Sequence, residues 1–584
     1  MQILQISSLS WFELLAGVIC VFLLLLCLYN VALPQPIPGI PHNKHATKRL
    51  LGDLPEFMQY QKRNGEQRRW FGLQNQKFNS PICQVFVRPF GKPTVIVSDF
   101  REAQDILSKR LKEFDRSDRA REAFSGIIPH QMLSYQTVDP KFKKHRELMR
   151  DLMSPKFLHE VSAPEVYAKV NTLVQLWHEK CLYAAERPFD GKPDIQRAAL
   201  DVITAVSFGL DDKSSATRRQ LDDMLSRSTT GGAVLTERQG NMVEFPVHPL
   251  TTELDATLTI VESSAVGFSS PFPRWHYWLL KQFWYLKDAG KVREEWTRRE
   301  IDKAVKTISK DGSDNTSATR SALEYMVLRE AAAAKKAQRP PRFHRRRIYD
   351  ELFGFIIAGH DTTSATLSWG VRYIADAPEA QRKLRFLLRG AFWTAFSELR
   401  QPTVEEITNA SIPYLDAVIQ EILRLSAVLP IVSRVAMVDT NVLGHAIPKG
   451  TAIFFTLNGP SLMKPAIEAP ENVRSESSQN VKSRYGEWSA DDVEQFIPER
   501  WIDVDEKGAE IYNSMKGPFL TFGSGPRGCY GRRLAYLQLR IFWVLLMWNF
   551  EFLPVAPELR TQEVVEHVGV EPSASYIRLN RVIN

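Results

Sequence analysis

The chain has 584 residues, of which 44% are hydrophobic and 24% charged, and its formal net charge is +8. A modest positive charge spread over so long a chain gives no argument for nucleic-acid binding and at most allows for an acidic partner or a membrane surface. The five cysteines are odd in number and widely spaced, which excludes a disulfide framework and indicates a reduced, cytosol-facing protein.

An uncharged segment, LLAGVICVFLLLLCLYNVAL, occupies residues 14–33. As a helix, about 20 such residues span about 30 Å of hydrocarbon. The alternative is a cleaved signal peptide, which needs a basic start and a small-residue cleavage site, whereas Glu13 precedes the segment and prolines follow it. We therefore expect an N-terminal transmembrane anchor with a proline-rich hinge over residues 1–41, followed by one catalytic domain over residues 42–584.

The charges around this segment predict its orientation. Lys44, Lys48 and Arg49 follow it, and no basic residue precedes it. By the positive-inside rule the N-terminus is lumenal and the body cytosolic, on a single-pass protein of the endoplasmic reticulum membrane. The prolines of the hinge cannot continue a helix and form a stiff spacer. With this topology the glycosylation sequons at Asn315 and Asn409 should stay unmodified.

The chain after the hinge shows little β pattern. The stretch VFVRPFGKPTVIVSDFREAQDIL predicts strand, turn, strand and then a helix capped by Ser98 or Asp99. Most of the remainder has helical periodicity, without repeats or a linker long enough to divide domains. The sequence therefore predicts a mainly α fold with small β-sheets, in one large domain.

The stretch TFGSGPRGCYGRRLAYLQLR, residues 521–540, allows two interpretations. Gly523, Gly525 and Gly528 spell the G-x-G-x-x-G pattern of a dinucleotide-binding turn. A Rossmann unit needs further strands and helices after that turn, but only 56 residues follow Gly528. Pro526 also lies within the phosphate cradle and has no N–H to donate. The nucleotide interpretation is therefore disfavoured.

The second interpretation centres on Cys529, which stands among glycines just before an amphipathic helix. A thiolate near a helix N-terminus is stabilised by free N–H groups and the helix dipole, so a lowered thiol pKa is expected. One thiolate without Cys or His neighbours cannot make a zinc or iron–sulfur site, but it can be the axial ligand of a haem. A buried, inert cysteine would leave the glycines and Arg527 unexplained.

The pattern F-x-x-G-x-R-x-C-x-G is matched by Phe522, Gly525, Arg527, Cys529 and Gly531. It resembles the haem-binding signature of the cytochrome P450 monooxygenases. The anchor and hinge resemble the microsomal type, and the residues around Cys529 are most similar to fungal members of secondary metabolism. The resemblance covers essentially everything after the anchor.

The resemblance implies the cytochrome P450 fold and a haem b cofactor. Cys529 would be the thiolate ligand of the iron, with Phe522 packed beside the sulfur. The two haem propionates need cations, and the resemblance assigns Arg527, Arg434 in LPIVSRVA and Arg146 in FKKHREL.

Other family motifs follow in order along the chain. The E-x-x-R helix is matched by Glu421 and Arg424, and FIPERW supplies Arg500, which implies a structural ion-pair network. The sequence departs from the family at Phe142, where a tryptophan is usual four residues before the arginine. Phenylalanine has no indole N–H, so one propionate hydrogen bond is lost and the role of Arg146 is less secure.

The stretch AGHDTT, residues 358–363, resembles the distal-helix motif. By this resemblance Asp361 and Thr362 are the catalytic pair: the threonine helps deliver protons during oxygen activation, and the acid relays them. Ala358 and Gly359 would leave room above the iron. Substrate contacts are expected near residue 127, between residues 225 and 290 and from this helix. The aromatic stretch FSSPFPRWHYWLL would touch the bilayer, a ligand or the core.

These features predict a membrane-anchored haem-thiolate monooxygenase that oxidises an apolar small molecule. Two alternatives stay open. One is a haem-thiolate isomerase or dehydratase that needs no reductase, and the other is a non-catalytic haem sensor or carrier. The chain has no nicotinamide or flavin domain, so the resemblance implies electrons from an NADPH-dependent flavoprotein reductase. The basic residues expected to dock it are Lys141, Lys143, Lys144, Arg532 and Arg533.

Overall fold

The computed structural model describes residues 11–231, 234–237, 242–270, 272–311 and 320–582, so the sequon at Asn315 and the first ten residues of the predicted anchor domain lie outside the described residues. Helices predominate in the described part. They are α1 Trp11–Ala32, α2 Leu54–Asn64, α3 Arg69–Phe78, α4 Phe100–Ser108, α5 Asp118–Phe124, α6 Pro140–Met149, α7 Ala163–Ala184, α8 Lys192–Phe208, α9 Ala216–Thr230, α10 Thr252–Ser263, α11 Ala265–Ser269, α12 Pro273–Leu280, α13 Trp284–Asp311, α14 Ala322–Lys336, α15 Arg346–Asp376, α16 Pro378–Ala391, α17 Trp393–Ser397, α18 Val404–Asn409, α19 Pro413–Ser426, α20 Glu476–Gln479 and α21 Arg532–Asn549.

The strands are short. They are β1 Ile82–Val85, β2 Thr94–Val97, β3 Phe114–Asp115, β4 Phe189–Asp190, β5 Thr236–Glu237, β6 Val243–Glu244, β7 Ile431–Ala436, β8 Thr440–Val442, β9 His445–Ile447, β10 Ala452–Thr456, β11 Ile502–Val504, β12 Glu510–Tyr512, β13 Phe550–Leu553, β14 Val564–Glu566, β15 Val570–Pro572 and β16 Tyr576–Arg581. One five-stranded sheet has the order β1-β2-β10-β7-β3 and another has the order β13-β16-β4-β6-β5, and three hairpins complete the set.

The strand–turn–strand–helix unit predicted from the sequence is confirmed as β1, β2 and α4. Strands β1 and β2 pair antiparallel, and every residue of both is buried. Asp99 is the helix cap, because its Oδ1 accepts a hydrogen bond of 2.8 Å from the N–H of Glu102. Strand β10 then pairs parallel to β2 and antiparallel to β7, which brings residues more than 300 positions apart into one sheet.

The largest core cluster surrounds the long central helix α15. Its inner side chains pack with those of α7, α19 and α21, including the buried Trp177 and Trp543. Helix α8 lies along α15 and contributes the buried Ile203 to a second cluster. A helix buried over most of its circumference must be apolar nearly all round. Helix α15 departs from this pattern, because Asp350, Glu351, His360 and Asp361 are buried in it together with several hydroxyl side chains. Some of its polar residues belong to the site described below.

The N-terminal helix α1 is solvent-exposed, and among the described residues it is the one helix long and apolar enough to cross a membrane, over Leu14–Ala32. The end of the predicted hinge packs against the body instead. Ile37 and Ile40 are 7% and 2% exposed. The Nε2 of Gln84 donates to both of their carbonyls at 2.9 Å. The division between residues 41 and 42 stays a prediction, but these hinge residues already contact the sheet.

Candidate active site

A cavity of about 410 Å³ lies beside α15, the loop before α21 and the edge formed by β7 and β10. Its wall is largely apolar. Six of the seven residues predicted for the site contribute to it, namely Arg146, Thr362, Arg434, Phe522, Arg527 and Cys529. The seventh, Asp361, is not part of the wall. The structure therefore brings together residues that are nearly 400 positions apart in the chain.

The loop that presents Cys529 is a tight turn built on glycine. Gly525 has φ +67°, and a Cβ there would clash with the carbonyl oxygen of Leu107 in α4. The N–H of Cys529 donates to the carbonyl of Phe522 at 2.7 Å, which closes the loop. Helix α21 begins three residues later, at Arg532, as the sequence predicted. The cysteine side chain is exposed to the cavity and lines its wall.

The sequence predicted a lowered pKa for Cys529, but in the protein without haem the pKa is raised. Burial raises the pKa of this thiol above its ordinary value, and the N–H of Gly531 and the charge of Arg532 only partly oppose that rise. The helix N-terminus does supply the expected donor. Its stabilisation of the thiolate is smaller than the cost of placing that charge among protein atoms of low polarity.

Arginines crowd the same cavity. The Nη1 and Nη2 atoms of Arg527 and the Nε of Arg116 are buried and have no hydrogen-bond partner among the described residues. Burial, reinforced by the charge of Arg527, lowers the pKa of Arg434 to about 10. Burial also lowers the pKa of Arg527 to about 10, with Arg146 adding to the effect. Buried like charges without matching anions are costly, so this cluster fits an anionic ligand.

The aromatic residues beside these arginines show how the departure at Phe142 is accommodated. The guanidinium carbon of Arg527 lies 4.1 Å from the centroid of the Phe142 ring. That of Arg146 lies 4.6 Å from the centroid of the Tyr530 ring. Phenylalanine cannot donate a hydrogen bond to a carboxylate, but its ring face attracts the arginine cation. Phe142 thus orients the Arg527 guanidinium and does not itself supply a hydrogen-bond donor.

Thr362 and Asp361 face different surroundings although they are neighbours on α15. The Oγ1 of Thr362 donates to the carbonyl of Ala358 at 2.6 Å and lies at the cavity wall. The Oδ2 of Asp361 accepts a hydrogen bond of 2.5 Å from the N–H of Gly569. Burial, with a further contribution from Glu571, raises the pKa of Asp361 to about 7. The two residues remain a predicted catalytic pair.

The predicted ion-pair network is present next to the core. Glu421 and Arg424 form two hydrogen bonds of 2.8 Å and both side chains are fully buried. The Nε of Arg500 donates to the same carboxylate at 2.9 Å, and so does the indole N–H of Trp501. Arg424 also donates to the carbonyls of Leu462 and Val493, and these bonds tie the loop before the cysteine to α19. The network is structural, since none of its members lines the cavity.

The cytochrome P450 family model matches residues 51–462 and 486–575. The chain belongs to the cytochrome P450 family. The cytochrome P450 monooxygenase TRI13 of Fusarium sporotrichioides is 36% identical to it, over 97% of this chain and 98% of that one. The cytochrome P450 monooxygenase xilC of Penicillium rubens is 34% identical, over 95% and 94%. A crystal structure of a cytochrome P450, CYP102L1, superimposes with a TM-score of 0.64 at 17% identity, over 94% of this chain and 100% of that one.

The predicted fold and enzyme class are thereby confirmed: the chain is a cytochrome P450 monooxygenase with one large haem domain, and its cofactor is haem b. The cavity of this P450 fits that cofactor. A sulfur faces it, as thiolate ligation of iron requires. Buried arginine nitrogen atoms without hydrogen-bond partners among the described residues line it, as two propionate carboxylates require.

Sequence reasoning missed Arg116 as a member of this cluster. Strand β3 pairs with β7 so that Asp115 lies opposite Val435, and Arg116 therefore follows directly beside Arg434. Nothing in the local sequence FDRSDR distinguishes Arg116 from a surface arginine. Only the pairing of two strands more than 300 residues apart reveals it.

Proposed function

We propose that Cys529 provides the axial thiolate of the haem in this P450, and that Arg116, Arg146, Arg434 and Arg527 hold the propionates. The observation that carries this assignment is one cavity containing a lone cysteine sulfur together with buried arginine groups that lack partners. When bound, the haem supplies the redox chemistry that activates dioxygen, inserts one oxygen atom into the substrate and releases the other as water.

Within this proposal Thr362 and Asp361 manage protons. Of these two residues, Thr362 lines the cavity wall, where its hydroxyl can pass a proton or hold a water molecule. Asp361 is on the adjoining face of α15, and its pKa of about 7 lets it both accept and release a proton near neutral pH. A proton that enters beside the Gly569 hairpin would reach the cavity through these two neighbours.

The substrate we propose is a mainly apolar small molecule, because aromatic and aliphatic side chains make up most of the cavity wall. The similarity to fungal P450 monooxygenases along nearly the whole chain supports a place in fungal secondary metabolism, with a terpenoid or polyketide as substrate. An isomerase or dehydratase would have less need of a proton-donating threonine at the cavity wall. A non-catalytic sensor or carrier would not need a proton-donating threonine there at all.

We also propose that the enzyme is anchored in the endoplasmic reticulum membrane by α1, with its body in the cytosol. A second apolar surface supports contact with lipid. Trp275, Trp278 and Trp284 are 63%, 60% and 75% exposed at α12 and the start of α13. Tryptophan is favoured at the interface of membrane and water, and a cluster of exposed aromatic side chains marks an interaction surface.

Electrons would come from an NADPH-dependent flavoprotein reductase. Five basic residues form the proposed docking surface, and all are exposed: Lys141, Lys143, Lys144, Arg532 and Arg533. They flank the cysteine side of the cavity, on α6 and at the start of α21. An acidic face on the reductase would be steered to this surface.

The experiment that tests the assignment replaces Cys529 by serine in the full-length protein. The wild type should show the strongly red-shifted band of the reduced carbon monoxide complex, and Cys529→Ser should lose it. Cys181→Ser, at a half-buried cysteine outside the cavity wall, is the matched control and should keep the band. A thiolate-type spectrum in Cys529→Ser would overturn the assignment. NADPH-dependent product formation with a reductase then separates the monooxygenase from the two alternatives.

A further inference from the structure

One polar side chain in the cavity wall has no role in the haem site. Gln67 stands just before α3 and is 3% exposed. Neither its Oε1 nor its Nε2 has a hydrogen-bond partner among the described residues, yet the side chain lines the cavity. Buried amides in folded proteins almost always have partners, because burying a polar group without a hydrogen bond destabilises the folded state. A carboxamide left unsatisfied on a cavity wall points to a ligand group that completes it.

The surroundings hold Gln67 in place without using its amide. Its backbone N–H donates to Glu566 at 2.5 Å. The guanidinium of Arg68 pairs with the same carboxylate and donates to the carbonyl of His567 at 3.2 Å. The Arg68 guanidinium also lies 4.7 Å from the centroid of the Phe268 ring. The two charges here neutralise each other, and the Gln67 amide takes no part in this pairing.

This part of the wall is joined to the distal side of the site. The residues that bind Gln67 and Arg68 are at the end of β14, and the same hairpin continues through Val568, which lines the cavity, to Gly569. Gly569 donates to Asp361, next to Thr362 on α15. Gln67 and Thr362 both line the cavity in which we place the substrate. Aromatic side chains also line this cavity, namely Phe57, Phe71, Phe124 and Phe268.

We infer that Gln67 is a substrate-binding residue and that the substrate is a neutral, mainly apolar molecule bearing a hydroxyl group. A hydroxyl donates one hydrogen bond and accepts others, so it can satisfy both the Oε1 and the Nε2 of one amide. A carboxylate would satisfy only the Nε2, and an ammonium would satisfy only the Oε1. The inference rests on the proposed function, because it assumes that this cavity is where the substrate is oxidised.

The test compares Gln67→Met with a matched control on the helix that follows it, α3. Gln74 is 5% exposed, its Nε2 donates to the carbonyl of Trp70 at 3.1 Å, and it is not in the cavity wall. The probes are three pairs of alcohol and parent hydrocarbon: adamantan-1-ol and adamantane, 2-decalol and decalin, and cedrol and cedrane. Binding is measured by titration of the haem absorption band and, independently, by the ligand-induced rise in Tm.

For at least one pair, the wild type should bind the alcohol about tenfold more tightly than the hydrocarbon, the effect of about one net hydrogen bond. Gln67→Met should bind both members equally. Gln74→Met should keep the tenfold preference. Without ligand, Gln67→Met should have an unchanged or higher Tm because a buried unpaired amide is gone, whereas Gln74→Met should have a lower Tm. A purely structural glutamine at position 67 would not give this pattern.

Two results would overturn the inference: a preference for alcohols that survives in Gln67→Met, or no preference for any alcohol in the wild type. The carbon monoxide spectrum of the same samples tests the proposed function separately. A missing thiolate-type band in the wild type would overturn the haem assignment. A normal band with no effect at Gln67 would overturn only the hydroxyl-bearing substrate. The Tm measurement needs no haem signal and distinguishes the two failures.

Discussion

The carboxylate of Asp361 accepts a hydrogen bond of 2.5 Å from the backbone N–H of Gly569, so this acid is tied to the β14–β15 hairpin and not to the cavity. A Cβ on Gly569 would lie 2.6 Å from Val428 and 3.2 Å from the Asp361 Oδ2. The hairpin therefore approaches α15 closely only because residue 569 is glycine. The contact links the hairpin that flanks the substrate region to the helix that carries Thr362.

This burial makes the stability of the protein depend on Asp361 and on pH. The pKa of Asp361 rises from 3.8 to about 7 on folding, so the folded state holds the proton more tightly than the unfolded state does. The stabilisation from this proton is present below about pH 4 and is lost as the pH rises to about 7. We expect Asp361→Asn to gain Tm relative to the wild type between pH 5 and pH 8 in calorimetry. Asp288→Asn, at a residue 57% exposed on α13, is measured alongside as the surface control. A difference in Tm that stays constant with pH for Asp361→Asn would contradict the raised pKa of Asp361.

Replacing Thr362 by alanine should uncouple NADPH consumption from product formation. The variant should keep the haem spectrum and substrate binding, because Thr362 bonds only to its own helix at Ala358. Positioned proton transfer contributes about 10²–10⁴-fold, so the ratio of product to NADPH consumed should fall steeply while hydrogen peroxide rises.

Thr366 provides the matched control, one turn further along α15. Its hydroxyl also donates to a helix carbonyl, that of Thr362, at 2.8 Å, but it does not line the cavity. Thr366→Ala should leave the ratio unchanged, and Thr362→Ser should restore most of it. An unchanged ratio in Thr362→Ala would show either that this threonine is structural or that the substrate supplies its own hydroxyl. Repeating the assay with a hydrocarbon probe separates these explanations.

Removing Arg116 should have opposite effects on the protein with and without haem. Without haem, Arg116→Leu should raise Tm, because burial and the charges of Arg527 and Arg434 already lower the pKa of Arg116. With haem, a hydrogen bond to a carboxylate is lost, which is worth about 1.5–3 kcal/mol, so haem should transfer to apomyoglobin about 10–100 times faster. Arg299→Leu, at an arginine 52% exposed, is the control and should change neither. A lower Tm of the haem-free Arg116→Leu variant would contradict the claim that Arg116 is a destabilising buried cation beside Arg434 and Arg527.

The hinge contacts predict where the chain can be shortened. Deleting residues 1–33 removes α1 and should leave a soluble protein with the Tm of the full chain. Deleting residues 1–41 also removes Ile37 and Ile40, buries less apolar surface and leaves Gln84 without its partners. Losing two buried isoleucines should cost several kcal/mol, at about 2–5 kcal/mol for each large truncation in a core. Equal Tm values for the two shortened proteins would show that the hinge is only a spacer.

The proposed docking surface predicts that reduction depends on salt and charge. Reversing Lys143 and Arg533 together to glutamate should slow electron transfer from the reductase, and raising the ionic strength should slow the wild type. The matched control reverses Lys291, which is 73% exposed on α13 and outside this surface. Stopped-flow reduction measures each rate. Reduction that is indifferent to salt and to both reversals would exclude this surface.

Short motifs in the sequence were enough to predict the cysteine loop, the helix after it, the β1–β2–α4 unit and the apolar N-terminal helix. These features are local, because glycine conformation, capping and periodicity act within a few residues. The Glu421–Arg424 pair was predictable for the same reason, since residues three apart share one helix face. The resemblance to a known signature extended this local information to the whole fold.

Only the tertiary structure decided which side chains share the cavity. Arg116 joins Arg434 through the pairing of β3 and β7, and Asp361 turns to Gly569 while Thr362 faces the cavity. Gln67 contacts the hairpin through its backbone N–H, which donates to Glu566, and its side-chain amide takes no part in that contact. Strand register and helix packing set these contacts between residues hundreds of positions apart. The periodicity of a segment fixes which face is buried, but not what the buried face will meet.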